Sequence, residues 1–198
     1  MSRVTIGPLL YAERVRGDGD GWVVSDTGRH YWGRHGAAGL LLRAPRADGT
    51  PAVLLQHRAP WSHQGGTWGL PGGARDSHET AEDAAKREAH EEAGLSIDRI
   101  SVRTTVVTAE ATGTSWTYTT VVADADELLH TVPNHESAEV RWVGEDEVDG
   151  LPLHPGFAAS WQRLRTATIV ASRSDEYLGC SPPCTVEREG VFVWYTAG

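Results

Sequence analysis

The chain has 198 residues, 39% hydrophobic and 23% charged, with a formal net charge of −9. That length holds one large domain, or one domain with appendages, around a real core. The acidic balance argues against broad duplex binding, which needs a basic face, and the sequence has no run of about 18 apolar residues to span a membrane. The opening stretch MSRVTIGPLLYAERVRGDGD has no apolar core of signal-peptide type, because Glu13, Arg14 and Arg16 follow quickly, and the cytoplasm is the expected compartment.

In chain order, VTIGPLLYAERV (4–15) and GWVVSD (21–26) each suggest a short strand, with RGDGDG as the turn between them. AAGLLLR (37–43) and AVLLQHR (52–58) predict a hairpin across the turn PRADGT. APWSHQGGTW is a loop, and WGLPGG follows as a short extended piece ending in a turn. From His78 to Ala93 the pattern is helical, with no Gly or Pro inside. Ser77 is the expected N-cap, with Thr80 at the third helical position and the capping box incomplete. Gly94 suits the C-terminal stop. Alanines 81, 84, 85 and 89 give this helix a slim apolar face for close packing on a sheet. SVRTTVVTAEA and GTSWTYTTVVADADE predict a second hairpin, and EVRWVGEDEV another strand followed by a turn. A helix is expected from about Pro155 to Thr166, with Phe157, Trp161 and Leu164 on one face. VFVWYTA (191–197) suggests a last strand. The chain has two cysteines, Cys180 and Cys184, which are too few for a disulfide scaffold and have no second pair to complete a zinc site.

The chemistry concentrates in GGARDSHETAEDAAKREAHEEAG, residues 72–94. Glu88, Glu91 and Glu92 are three and four residues apart and share one side of a helix. Like charges at that spacing repel, and a hard cation with oxygen ligands reverses the sign. A row of glutamates is also the common form of a solvated helix face, with Arg87 and Glu91 pairing one turn apart. The preceding Pro71, Gly72 and Gly73 make a turn of little bulk, where backbone can approach an ion or phosphate closely.

The same stretch resembles the signature of the Nudix hydrolases: a glycine, five residues, a glutamate, seven residues, Arg-Glu, an apolar residue, any residue, Glu-Glu, any residue, a glycine and an apolar residue. Gly73, Glu79, Arg87, Glu88, Ala89, Glu91, Glu92, Gly94 and Leu95 fill every fixed position. The resemblance implies an α/β fold, a mixed β-sheet sandwiched between helices, with the signature as a loop–helix–loop. It implies a catalytic domain over residues 35–165, flanked by an N-terminal extension (1–34) and a C-terminal extension (166–198). It further implies hydrolysis of the pyrophosphate linkage in a nucleoside diphosphate derivative or nucleoside triphosphate by water activated with Mg2+ or Mn2+. By position, Glu88, Glu91, Glu92 and the backbone of Gly73 match the metal site, and Glu79 and Arg87 match its structural support. The base matches Glu91 first and, from a later loop, Glu139 or its neighbour Glu136. A non-catalytic nucleotide-sensing or interaction module on the same fold is the alternative. An isomerase of that fold acting on isopentenyl diphosphate is disfavoured, because both cysteines lie outside the domain.

Outside the signature, Arg58 is placed to grip a phosphate with its rigid fork. Trp68 and Tyr118 are candidates for substrate contact, as are Trp32, Trp61 and Trp116, with packing the alternative for each. His63, His78 and His90 surround the helix, but a hard-cation site does not need them. A proline or tyrosine typical of certain subfamilies is absent from VVTAEATG, and the arginine-rich segment of another is incomplete before the signature. Elimination leaves a small nucleotide, a nucleoside triphosphate or close relative, as the expected substrate. The terminal segments either cover a sheet edge or form a homodimer interface.

Overall fold

The structure, a computed structural model, describes residues 17–173. The expectations for a strand at 4–15, for Cys180 and Cys184, for the closing strand at 191–197 and for a dimer contact through it lie outside those residues.

The predicted hairpins both form. β3 (Ala37–Pro45) pairs antiparallel with β4 (Pro51–Arg58), and β7 (Ser101–Glu110) with β8 (Thr117–Asp124). The link between them is not local: β3 runs parallel to β8 from Ala37↔Tyr118 to Arg43↔Asp124. β9 (Ser137–Gly144) adds antiparallel to the outer edge of β4. β3 and β4 pair only over Arg43–Pro45 and then diverge. The gap takes two short strands, β5 (Trp68–Gly69) on β4 and β6 (Gly72–Ala74) on β3. The result is a mixed seven-stranded sheet.

Its central strands read as unbroken apolar runs because both faces are covered. Leu40 and Leu42 point to one face, and Leu41 to the other. On the first face lies helix α1 (Ala81–Ala93), whose Ala84, Ala85, Ala89 and Ala93 are completely buried beside Leu40, Leu42, Leu54 and Val121. The alanine stripe lets helix and sheet approach closely, as expected. On the second face, helix α2 (Pro155–Arg173) sets Phe157, Trp161 and Leu164 against Leu41, Val53, Leu55 and Val122. It runs beyond the predicted end near residue 166. Among the described residues no helix is long and apolar enough to cross a membrane.

The start of α1 differs from expectation. The N-cap is Thr80 rather than Ser77, and its capping box is complete. The Thr80 hydroxyl accepts from the Asp83 N–H at 3.1 Å, and the Asp83 carboxylate accepts from the Thr80 N–H at 3.2 Å. Ser77 is committed elsewhere, donating its N–H and hydroxyl to Asp18. Residues 76–79 form a turn of their own, in which the Asp76 N–H donates to the Glu79 carboxylate at 3.0 Å. At the other end Gly94 adopts the left-handed conformation, φ 65°, and its N–H donates to the His90 carbonyl.

Two more strands, β1 (Trp22–Val24) and β2 (His30–Trp32), make a small hairpin before the main sheet. Its inner face, Val23 and Tyr31, packs on a cluster of Ala37, Ala111 and Trp116. Its outer face carries Trp22, Val24, His30 and Trp32, all exposed.

β6 packs against β3 with no room for a side chain at Gly72. A Cβ on Gly72 would lie 2.3 Å from the Ala38 carbonyl oxygen and 2.5 Å from the Gly39 Cα. Both are backbone atoms of a central strand. Gly72→Ala is therefore expected to cost about 1–3 kcal/mol in denaturant unfolding; an unchanged midpoint would refute the close-approach account.

Candidate active site

The signature helix α1 delivers its carboxylates to one place because β6 lies across its C-terminal half. Glu88 and Glu92 sit one turn apart on the side facing β6 and are 7% and 3% exposed. Glu91 lies on the outer shoulder of the same side, with its side chain 37% exposed. All three line one cleft of about 640 Å³ together with Gly72, Gly73, Arg58, Arg87 and Glu136. The glycine pair is what allows this. A Cβ on Gly73 would stand 2.7 Å from the Glu88 carboxyl carbon, so any other residue would collide with that carboxylate.

Two buried carboxylates need compensation. The Gly72 N–H donates to Glu92 Oε2 at 2.8 Å. Arg87 donates to Glu88 Oε1 at 2.8 Å and to the Ala74 carbonyl at 2.9 Å. It also grips Glu79 with two bonds of 2.6 and 3.0 Å, and lies 3.8 Å from Glu91. That fork ties the turn before α1, strand β6 and the middle of α1 together. The hydrogen bond from Arg87 is the main reason the Glu79 carboxyl sits below its ordinary range, and Glu79 in turn pushes the Arg87 guanidinium further up.

Glu92 behaves differently. Burial first, and the neighbouring Glu88 second, push its carboxyl up to about 7, against opposition from the Gly72 N–H and the Gln56 amide. Gln56 is buried on β4 behind the helix and donates to the Ser137 hydroxyl at 2.9 Å. The 134–137 turn is tied to α1 as well, since the Asn134 N–H donates to the Glu92 carbonyl at 3.1 Å. This turn carries Glu136 to the cleft.

Glu139, expected as a late-loop base, does not line the cleft. It lies two residues into β9, opposite His57 of β4, with its side chain 47% exposed and 3.9 Å from Arg141. Trp68 lines neither cleft of this face either. Its ring is buried, stacked on His57 at 4.8 Å, with the Arg141 guanidinium 4.6 Å above it. Its environment is that of a packed residue. Arg58 does face the cleft, and its Nε donates to the His63 carbonyl at 2.9 Å.

Beside the carboxylates opens a second, aromatic cleft of about 810 Å³ that contains Tyr118. Burial, and then Glu92, hold the Tyr118 phenol above its usual range. Trp22, Trp32 and Trp116 line this space, and Trp32, Arg58, Gly72 and Gly73 belong to both clefts. Trp22 had no place among the sequence candidates; the alternation in WVV and HYW was its only signal.

A further acidic group adjoins the cleft. Asp18, Asp76 and His78 bring ligand atoms within 4.8 Å of one another. Asp18 already accepts from Ser77, and Asp76 from the Gly19 N–H at 2.8 Å, bonds that fasten the 17–20 segment to the turn before α1. His90 turns away, its Nδ1 2.8 Å from the Leu95 carbonyl.

A mixed sheet between two helices, with a glycine turn feeding a carboxylate helix, defines a class, and comparison with known proteins gives the same one. Residues 33–164 match the NUDIX domain. A Mycobacterium tuberculosis protein provisionally named 8-oxo-dGTP diphosphatase 3 is 71% identical over 196 residues, covering 96% of this chain and 90% of its own. A crystal structure of a Nudix hydrolase from M. smegmatis, RenU, is 72% identical with a TM-score of 0.74, covering 77% of this chain and 96% of its own. A Bifidobacterium longum nucleoside triphosphate pyrophosphatase/Nudix hydrolase fusion protein is 39% identical over 86% of this chain and 34% of its own. The chain belongs to the Nudix family. It is a Nudix hydrolase, an enzyme that cleaves the pyrophosphate linkage of a nucleotide. Members of this family generally use divalent metal ions.

The raised Glu92 carboxyl gives a pH test. Its folded value, about 7, lies above the unfolded carboxyl value of 4.5. Its contribution to stability is therefore full below the unfolded value and is lost as pH rises through 7. Metal-free protein should lose up to about 3 kcal/mol relative to Glu92→Gln between pH 4 and 8 in chemical unfolding. Parallel stability curves for the two proteins would refute the burial argument.

Proposed function

We propose that Glu88, Glu91, Glu92 and the Gly73 backbone hold Mg2+, or Mn2+, and that the substrate is a purine nucleoside triphosphate of the 8-oxo-dGTP type. The observation that supports the metal reading is the convergence of three carboxylates in one cleft, two of them nearly sealed from water. The donor set fits a hard cation, being all oxygen. Arg87 donates to Glu88, and that same side chain is gripped by Glu79. The substrate class rests on the name of the M. tuberculosis relative. We place the reaction in the cytoplasm.

The bound ion would supply Lewis-acid polarisation of the phosphoryl oxygens and offset the charge that grows on them. The chain's own residues do the rest. Arg58 grips a phosphate from the rim shared by the two clefts. Water attacks one phosphorus of the pyrophosphate, the P–O bond to the leaving phosphate breaks, and a carboxylate takes the water's proton. Glu91 is the first candidate for that base, being the most exposed of the three. Glu136, which lines the cleft, replaces Glu139 as the second. Glu79 acts through Arg87 as a positioning residue. Neither Trp68 nor Glu139 has a part in this scheme.

The test is a panel of nucleoside triphosphates, including 8-oxo-dGTP, with Mg2+, Mn2+ or a chelator, following release of phosphate or pyrophosphate. Glu91→Gln should lower kcat by about 10²–10⁴-fold, the usual share of general-base assistance, with an unfolding midpoint near that of the wild type. Turnover in the presence of chelator, or full activity of both Glu91→Gln and Glu92→Gln, would overturn the proposed site.

A further inference from the structure

The exposed tryptophans of the β1–β2 hairpin have no part in the hydrolytic scheme. Trp22 and Trp32 are direct cross-strand partners, so they share the outer face of the hairpin. The apolar packing of the hairpin on the domain uses the opposite face, Val23 and Tyr31, while on the outer face the Trp22 ring meets His63 edge to face at 5.9 Å. The two indoles lie outside that cluster and remain 51% and 41% exposed. Their rings meet edge to face at 5.0 Å and 72°, which orients the Trp32 ring without covering it. The backbone below is fixed, because the Trp116 indole N–H donates to the Trp32 carbonyl at 3.0 Å. A large apolar ring that is held in place but left open is a surface waiting for a flat partner.

Position identifies the partner. Trp32 and Arg58 line both the carboxylate cleft and the aromatic cleft. A nucleotide has a similar division: its phosphates and its base are separated by one sugar. If the phosphates occupy the carboxylate cleft, the base lands in the adjoining space, where Trp32 stands on the shared rim. We propose that the substrate's purine base stacks on Trp32, held edge-on by Trp22, which makes the β1–β2 hairpin a specificity-determining element ahead of the hydrolytic signature. This assignment rests on the nucleotide-hydrolase reading above.

The test compares Trp32→Ala, Trp32→Phe and Trp61→Ala. Trp61 is 76% exposed and lines neither cleft. KM for a purine nucleoside triphosphate should rise about tenfold or more in Trp32→Ala, the scale of one base–aromatic stack. Trp32→Phe should recover most of that loss, and Trp61→Ala should match the wild type. Inhibition by inorganic pyrophosphate, which has no base, should be the same in all four proteins. Unchanged KM in Trp32→Ala, or an equal weakening of pyrophosphate inhibition, would overturn the base site. A shift in oligomeric state in Trp32→Ala without a change in KM would overturn it too, because it would assign the face to a second copy of the chain. Calorimetry with a purine nucleoside monophosphate separates the two readings. Binding that Trp32→Ala abolishes, in a wild-type protein that turns over no nucleotide, overturns the hydrolytic scheme and supports the base site.

Discussion

The burial of Glu88 and Glu92, like charges one turn apart on a helix pressed against a sheet, is the constraint around which this molecule is arranged. Left alone, such a pair would push the helix off the sheet or take up a proton. The surroundings divide the problem. Glu88 receives a guanidinium, and Glu92 receives one peptide N–H and remains ready to protonate near neutrality. Arg87 can serve Glu88 in a fixed pose because Glu79 holds it from the other side. The peptide N–H is available because Gly72 has no side chain to keep it away.

The sheet decides what stands near those carboxylates. β3 and β4 separate after three residue pairs, and the opening admits β5 and β6, which carry the glycine turn to the helix. β9 brings the 134–137 turn to the end of α1, where Gln56 and Ser137 lock it from behind. The aromatic cleft borders the carboxylates because β8, with Tyr118, runs next to β3. The small hairpin then closes the outer side. The proposed metal ligation, phosphate grip and base stacking thus fall to different elements that border the clefts shared by Gly72 and Gly73.

Much of this was legible in the sequence. The hairpins, the alanine face of α1, the cap at Gly94 and the residues of the signature followed from local pattern. What was not legible depended on partners far away in the chain. Ser77 looked like a cap because nothing local showed that Asp18 would take its donors. Glu139 looked as near the site as Glu136, but register on β4 puts Glu139 on the strand and Glu136 on the turn that reaches the cleft. Trp68 was read as a substrate contact, and His57 and Arg141 enclose it instead. The parallel β3–β8 pairing has no sequence signature, and neither does the buried position of Gln56. Trp22 and Trp32 gain meaning only from the face of the hairpin that the core leaves uncovered.

The parallel pairing also bears on how the protein comes into being. Ala37 meets Tyr118 across 81 positions of chain, and the whole carboxylate helix lies within that loop. Closing so long a loop costs entropy before any contact repays it. On a ribosome, α1 and the glycine strand β6 that meets its acids are therefore made before β8 and β9, which complete the sheet. The order of synthesis thus defers the full burial of Glu88 and Glu92 until β8 and β9 complete the sheet, while Arg87 and the Gly72 N–H that compensate them are already in the chain.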